Sequence, residues 1–508
     1  MSSPRLKLIT IPWELEVPTL ALASLAAVTP PQFEIAIVDL LRERLLLDEP
    51  VDLVGITAST PRIKAAYALA QLYRDRGVTV VMGGHHVTAM PEEALNYCDA
   101  VVCGEGETSW QRICEDFLCD PTRVRGIYRD APPDLGKLPQ PRIDLMHLER
   151  YGAAFYYPLI ASRGCPEACT FCFAKKMTMG YRTYPISHVI EQVKRRPKFI
   201  RAGYFVDDNL PADPDYTREL FKALEKLGLQ FGMQARHEFS QDPTNVHAAK
   251  KAGCALISSG YESVNQLSLD GSAKHADANN YREVIKNIFD AGIMTSGNWM
   301  FGFDQDTPDV FERTLEFLDS TELVHSSFTA EIPFPGTASF KRYKREGRLL
   351  TEDYDAYVGK DGVVVKPLQM TADQLRDGIR WLALQFFSPR RCTQRATKAF
   401  SNKKLPNFGA AWLKAPALLG LNYYQMWQWQ YRMQPPLQWL YQRLISVNKY
   451  RYVGDLFRGT NFWKDELPRA AAPAAPITAT GPFAHVEGFK KGRKHKLGLV
   501  EKRPATPR

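Results

Sequence analysis

Apolar residues in the first 130 positions come in short, nearly unbroken runs. LKLITIP (6–12), FEIAIVD (33–39), DLVGIT (52–57), VTVVMGG (78–84) and DAVVCGEG (99–106) are each bounded by Gly, Pro or Asp. Continuous runs of this length predict strands buried on both faces. Between them, LALASLAAV (20–28) and RIKAAYALAQLYRDRG (62–77) carry apolar residues at helical spacing, and the second closes at Gly77. The alternation predicts an α/β unit over 1–130, a doubly wound, Rossmann-like parallel sheet with helices on both faces.

The pattern lapses over 131–155, where APPDLGKLPQPRIDL reads as a Pro-rich linker. It resumes with six further runs: FYYPLIASR (155–163), FIRAGYFVDDN (199–209), QFGMQAR (230–236), CALISSGYES (254–263), IMTSGNWMFGF (293–303) and FTAEIPFPGT (328–337). Helix-length segments separate them, so a partial (β/α)6 barrel is predicted over 156–345, open on one side for a large substrate. Residues 346–467 change to helical periodicity rich in Trp, Tyr and Arg. TADQLRDGIRWLALQFFSPRR (371–391) opens on Thr371 as N-cap and aligns Ile379, Leu382 and Phe386 on one stripe. NYYQMWQWQYRMQPPLQWLYQRLI (422–445) is dense in aromatics, which suits packing against the barrel, a lid over a bulky apolar substrate, or a peripheral contact with a membrane surface. From 468 the chain is Pro/Ala-rich and basic, with the composition of a disordered tail.

Parallel sheets bind ligands beyond the carboxyl ends of their strands. In the first unit those ends supply Thr57, Ser59 and Thr60, then Gly83 and Gly84, then Gly104, Glu105 and Gly106. The glycines admit close backbone approach and the hydroxyls can donate, although a glycine at a strand end also serves simply to turn the chain. At the start of the second unit RGCPEACTFC (163–172) follows a strand and places Cys165, Cys169 and Cys172 on its loop. Gly164 and Pro166 make a loop rather than an apolar face, which argues against three core thiols. No second cysteine pair lies downstream to complete a structural zinc site. Three thiolates do suit an iron–sulfur cluster with one iron left open for a ligand. Cys98, Cys103, Cys114 and Cys119 lack such spacing and read as core or surface thiols.

Cys-x-x-x-Cys-x-x-Cys, with Phe171 before the third cysteine, resembles the signature of the radical S-adenosylmethionine (SAM) superfamily. VGITAST, GGHHVTAMPEEAL and DAVVCGEGE resemble the cobalamin (B12)-binding domain that precedes many of its members, and GFDQDT (302–307) and PFPGT (333–337) agree. The resemblance covers residues 1–345 and extends, more loosely, to relatives acting on hopanoids or tetrapyrroles. It implies a [4Fe–4S] cluster on Cys165, Cys169 and Cys172, SAM on the open iron, and a 5′-deoxyadenosyl radical made by one-electron cleavage of SAM. It further implies SAM contacts from Phe171, Asp207, Asp208 and Arg236, and from the Gly-x-Glu-Ser pattern of Gly260, Glu262 and Ser263. One of the two aspartates could equally be an N-cap, and Arg236 a surface side chain. The Asp-x-His-x-x-Gly cobalt-ligand pattern is missing and His85 and His86 follow the fourth strand, so cobalamin with no protein histidine on cobalt is implied.

The expected function is therefore a cobalamin-dependent C-methyltransferase acting on an unactivated carbon of a hydrophobic small molecule. One SAM would donate the methyl group through cobalamin and a second the radical. The alternative is oxidative cyclisation or rearrangement in a tetrapyrrole or natural-product pathway, without methyl transfer. An RNA methylthiotransferase would show further cluster cysteines and an RNA-binding module, and a cobalamin or redox sensor would not need all three loop cysteines. An electron donor such as flavodoxin or ferredoxin is implied as partner. The 508 residues carry a net charge of +9 at pH 7, but KKGRKHK (490–496) holds much of the excess, so no nucleic acid is expected. With no signal peptide or apolar run of membrane-spanning length, a cytoplasmic protein is the expectation.

Overall fold

The computed structural model describes residues 3–11, 18–40, 42–151, 156–198, 200, 202–358 and 362–405. The aromatic segment 422–445 and the tail from 468 lie outside the described residues.

Six parallel strands form the first sheet: β1 (Arg5–Ile11), β2 (Glu34–Asp39), β3 (Leu53–Ala58), β4 (Thr79–Gly83), β5 (Ala100–Val102) and β6 (Gly126–Tyr128), in spatial order β2-β1-β3-β4-β5-β6. The reversal of order beside β1 is the topological switch of a doubly wound sheet. β6 has no apolar run to announce it: its three residues GIY pair with β5, Ala100 opposite Gly126. Both faces are covered. Leu6, Leu8 and Leu53 face one core with Trp110 and Phe117, and Ile9, Val54 and Ile56 face another with Leu69 and Tyr73. The second core also takes in Tyr343, Tyr354, Tyr357, Val364 and Val365, so the chain returns to the first sheet after the second is complete.

The run 155–163 is not one strand. It divides into β7 (Tyr157–Leu159) and β8 (Ser162–Arg163), and β8 pairs antiparallel with β9 (Arg182–Thr183), Arg163 opposite Arg182. The other five runs form β10 (Ala202–Phe205), β11 (Gln230–Gln234), β12 (Cys254–Glu262), β13 (Met294–Phe301) and β14 (His325–Ala330). With β7 they make a parallel sheet in the order β7-β10-β11-β12-β13-β14, whose two edge strands do not pair: a partial barrel.

The edge strand β14 is covered by the helix Ala372–Phe386, Phe328 lying 5.4 Å edge-on from Phe386. Thr371 and Gln374 form a capping box at its start. Its Ile379, Leu382 and Phe386 are buried as their spacing predicted, each contributing roughly 1.5–3 kcal/mol. No helix of the described residues is long and apolar enough to cross a membrane.

Candidate functional site

The loop between β8 and β9 spans residues 164–181 and holds all three clustered cysteines. Its two ends are forced together at Gly164, which has φ +81°. A side chain there would meet Gly180 O at 2.4 Å and Thr178 Oγ1 at 2.5 Å, so the returning loop needs glycine. Thr170 fixes the middle: its N–H donates to Ser272 O (3.0 Å) and its carbonyl accepts from Ser339 N–H (3.0 Å).

Cys165, Cys169 and Cys172 line one cavity of about 550 Å³ beyond the carboxyl ends of the barrel strands. Burial raises the pKa of all three thiols. Arg236, 4.0 Å from Cys169 Sγ, works in the opposite direction on Cys165 and Cys169. Cys172 is pushed up to about 11 by burial and by its two neighbours among the cysteines. Among the described residues no group of His, Cys, Asp and Glu is placed to hold a single metal ion. A multi-iron cluster asks for a different arrangement, one thiolate to each of three separate irons, and three unpaired thiols around one cavity fit it.

Phe171, Asp208, Arg236, Gly260 and Glu262 share the cavity, and Asp207 and Ser263 do not. Asp208 presents accessible surface yet is surrounded by enough protein to raise its pKa, with the Gly164 N–H opposing the shift. Asp207 points the other way. Its carboxylate accepts from Ala161 N–H (3.1 Å), Ser162 Oγ–H (2.6 Å) and Ser162 N–H, tying β10 to the β7–β8 junction, and burial pushes it up to about 7. Neither aspartate caps a helix. The cap of Pro214–Leu224 is Asp213, which accepts from Asp215 and Tyr216 N–H. Ser263 Oγ accepts from Asn265 N–H (3.0 Å), closing the turn after β12.

Glu262 sits in that turn at φ +63°, a left-handed conformation uncommon outside glycine. Its carboxylate reaches back over Gly260, where a side chain would stand 2.2 Å from Glu262 Oε1. There it meets a group that sequence reasoning missed: Lys274 Nζ, 3.1 Å from Glu262 Oε1, in the same cavity and buried. A lysine in the polar stretch after a short helix carries no sequence signal; it is inside because Ala273 and His275 on either side both adopt positive φ. Arg236 is already engaged, donating to Glu238 Oε1 (2.5 Å), Glu238 Oε2 (3.2 Å) and Lys274 O (2.8 Å). Gln234, Ser258 and Asn298 add neutral polar groups to the wall.

The ligand end of the first sheet touches the cysteine loop. His85 lies 5.5 Å edge-on from Phe173, directly after the third cysteine. His85 has accessible surface while surrounding protein lowers its pKa. His86 is buried instead, Nδ1 3.3 Å from Thr60 Oγ1 and Nε2 3.3 Å from Glu93. Ser59 Oγ is buried with no partner among the described residues. Gly83 and Gly84 leave the end of β4 bare, with a side chain at Gly84 (φ +105°) meeting Thr57 Oγ1 at 2.8 Å. An orphaned hydroxyl beside a bare backbone cradle fits a large cofactor laid across these strand ends. Gly104 and Gly106 flank Glu105, whose carboxylate is taken up by Arg163 (2.8 Å) and Arg182.

Comparison with known proteins agrees with this geometry. The B12 binding domain family matches residues 6–113 and the Radical SAM superfamily residues 159–318. The bacteriochlorophyllide d C-12(1)-methyltransferase of Chlorobaculum tepidum is 30% identical over 323 residues, 60% of this chain and 69% of that protein. The C-8(2)-methyltransferase of the same organism is 29% identical over 359 residues, 66% of this chain and 78% of that one. Among solved structures, the radical SAM methyltransferase TsrM from Kitasatospora setae superposes with a TM-score of 0.57 at 14% identity, covering 84% of this chain and 99% of that one.

Proposed function

The chain belongs to the radical SAM enzymes that carry a B12-binding domain, a family of cobalamin-dependent methyltransferases and tetrapyrrole cyclases, and we propose that it methylates an unactivated carbon of an apolar, polycyclic small molecule. The single observation that carries this reading is the convergence of two strand ends: the loop that brings three cysteines to the barrel cavity also touches the bare end of the first sheet, with Phe173, next to Cys172, against His85. The two cofactor sites would then be neighbours across that contact, as a transfer between them requires. The apolar, polycyclic substrate is supported by the two relatives, which by name act on bacteriochlorophyllide d.

Cys165, Cys169 and Cys172 would hold the [4Fe–4S] cluster, and the ends of β3, β4 and β5 would hold cobalamin. When bound, these groups supply the electron that cleaves SAM and the metal that carries the methyl group. The chain's own residues do the rest. Asp208 offers a carboxylate to the SAM ammonium, and Lys274, neutralised by Glu262, offers the carboxylate of SAM a cation with a fixed position. Arg236 places a second cation beside Cys169, favouring the thiolate, while Glu238 and Lys274 O hold it in place. The barrel strands and the cysteine loop wall the cavity, which limits the access of water to a radical formed there. An electron donor such as flavodoxin or ferredoxin would reduce the cluster.

The test is anaerobic reconstitution with iron, sulfide and cobalamin, reduction by a chemical reductant, and analysis of SAM products. S-adenosylhomocysteine together with 5′-deoxyadenosine supports methyl transfer. 5′-Deoxyadenosine alone, with no cobalamin retained, overturns it in favour of cyclisation or rearrangement.

A further inference from the structure

Arg163 and Arg182 are cross-strand partners in the β8–β9 pair and stand at the two feet of the cysteine loop. Like charges directly opposite on an antiparallel pair repel, and Arg163 is only 11% exposed at its side chain. Among the described residues, neither guanidinium is neutralised from within the barrel. Both turn to the first sheet, where Glu105 and Glu107 flank Gly106 at the start of the helix Glu107–Cys119.

Arg163 Nη1 donates to Glu105 Oε2 (2.8 Å) and Glu107 Oε2 (3.1 Å), and Nη2 donates to Glu107 Oε1 (2.6 Å). Arg182 Nη2 donates to the other oxygen of Glu105, and its Nη1 to Pro133 O (3.0 Å) in the connector. The two glutamates are 5% and 6% exposed at their side chains. Two positive and two negative charges therefore close on one another, three of them largely out of water and Arg182 still 27% exposed. Such a group is favourable only when its geometry is kept, since a missing partner leaves a buried charge uncompensated. Tyr184 lies under Arg163, 5.6 Å from the guanidinium carbon to the ring centre.

Chain position gives the network its meaning. Arg163 precedes Cys165 by two residues, and Glu105 and Glu107 border the glycines at the end of β5. We propose that Glu105, Glu107, Arg163 and Arg182 are positioning residues that set the separation of the cluster loop from the cobalamin cradle. They thereby couple SAM bound at the loop to the first sheet. This rests on the reading of the chain as a cobalamin-dependent methyltransferase. Geometry within the barrel, which governs cleavage of SAM at the cluster, does not pass through the two glutamates, whereas geometry between the domains does.

The test compares holoenzyme carrying wild-type sequence, Glu107→Gln and Arg163→Lys. Pulsed EPR of cob(II)alamin and the reduced cluster reads the distribution of distances between them. Wild type is expected to give one narrow distribution and each variant a broadened one. Cobalamin and iron content should hold, and S-adenosylhomocysteine formation should fall by roughly 10- to 100-fold while 5′-deoxyadenosine formation stays within about twofold. If Glu107→Gln does not fold, Arg163→Lys decides the matter, because it keeps the charge and loses only the planar fork. A distribution as narrow as wild type in the folded variants overturns the proposal. Loss of cluster iron in step with the broadening also overturns it, because the network is then a brace for the loop alone. A wild type that retains no cobalamin overturns the functional reading and this inference with it; variants that retain cobalamin at the wild-type distance overturn the inference alone.

Discussion

Lys274 and Glu262 meet inside the cavity at 3.1 Å, both buried, one reaching it from a strand end held at positive φ and the other from between two residues at positive φ. Removing one partner of such a pair leaves the other charge unpaired away from water. Lys274→Met is expected to cost about 3 kcal/mol of stability and to abolish SAM binding. In Glu262→Gln/Lys274→Met most of the stability returns and SAM binding does not. Calorimetry of unfolding and equilibrium binding of SAM to the reconstituted protein separate the two effects, and SAM binding by Lys274→Met at wild-type affinity would remove the ammonium from the SAM site.

Gly164 and Gly180 both have φ near +80°, but only the first lacks room for a side chain. Gly180→Ala is expected to cost roughly 1 kcal/mol, the ordinary penalty of a left-handed alanine. Gly164→Ala adds overlap with Gly180 O and Thr178 Oγ1 and is expected to move the loop enough to lower iron incorporation severalfold. Iron and sulfide analysis after identical reconstitution checks the ordering, and equal loading of the two variants would contradict it.

Asp207 rises from the ordinary aspartate value to about 7 because burial disfavours its charge. The folded state then holds the proton more tightly than the unfolded one. Its contribution to stability is full below pH 4 and is lost as pH rises from about 4 to about 7. Asp207→Asn removes the titration, so the difference in stability between variant and wild type should change across that window and be constant above pH 8. Urea unfolding at a series of pH values gives the comparison, and a pH-independent difference would show that Asp207 does not titrate there.

Single replacement of Cys165, Cys169 or Cys172 by Ala is expected to abolish 5′-deoxyadenosine formation while leaving the fold intact, since the three thiols line a cavity rather than fill the core. Replacement of Cys114, buried in the first sheet's core, should do the reverse: activity per folded molecule is kept and stability falls by roughly 1 kcal/mol. Circular dichroism and product analysis on the same samples test the contrast.

Ser59→Ala should leave stability unchanged or slightly raised, because the hydroxyl has no partner to lose. Cobalamin affinity should fall by up to about tenfold if that hydroxyl meets the cofactor. Equilibrium dialysis with hydroxocobalamin measures it, and unchanged affinity would place the cofactor away from the end of β3.

Much of this molecule is readable along the chain because parallel strands buried on both faces must be apolar throughout, and an apolar run is a local property. The strands β1 to β5 and β10 to β13 all fall on runs that stand out by composition, whereas β14 begins at His325, three residues before its run, and ends at Ala330 where the prolines begin. β6 escaped because a three-residue edge strand needs no such run. The break between β7 and β8 escaped because Ile160 and Ala161 continue the apolar pattern while the chain turns toward Asp207. The cysteine loop was legible for another reason: ligands on one short loop must sit close in sequence.

What the sequence determined by itself is thus the set of elements, the three thiols and the family they belong to, all encoded in near neighbours. Tertiary structure decided which of two adjacent aspartates faces the cavity, that Lys274 is inside it, and that Glu105 is spoken for by two arginines of the β8–β9 pair. Each of these depends on residues far apart in the chain, 12 positions for Lys274 and Glu262, 58 for Glu105 and Arg163, and 77 for Glu105 and Arg182. A charge in the sequence looks the same whether it meets water or a partner. Only the packing of the two sheets, which removes the water, fixes which partner it must have.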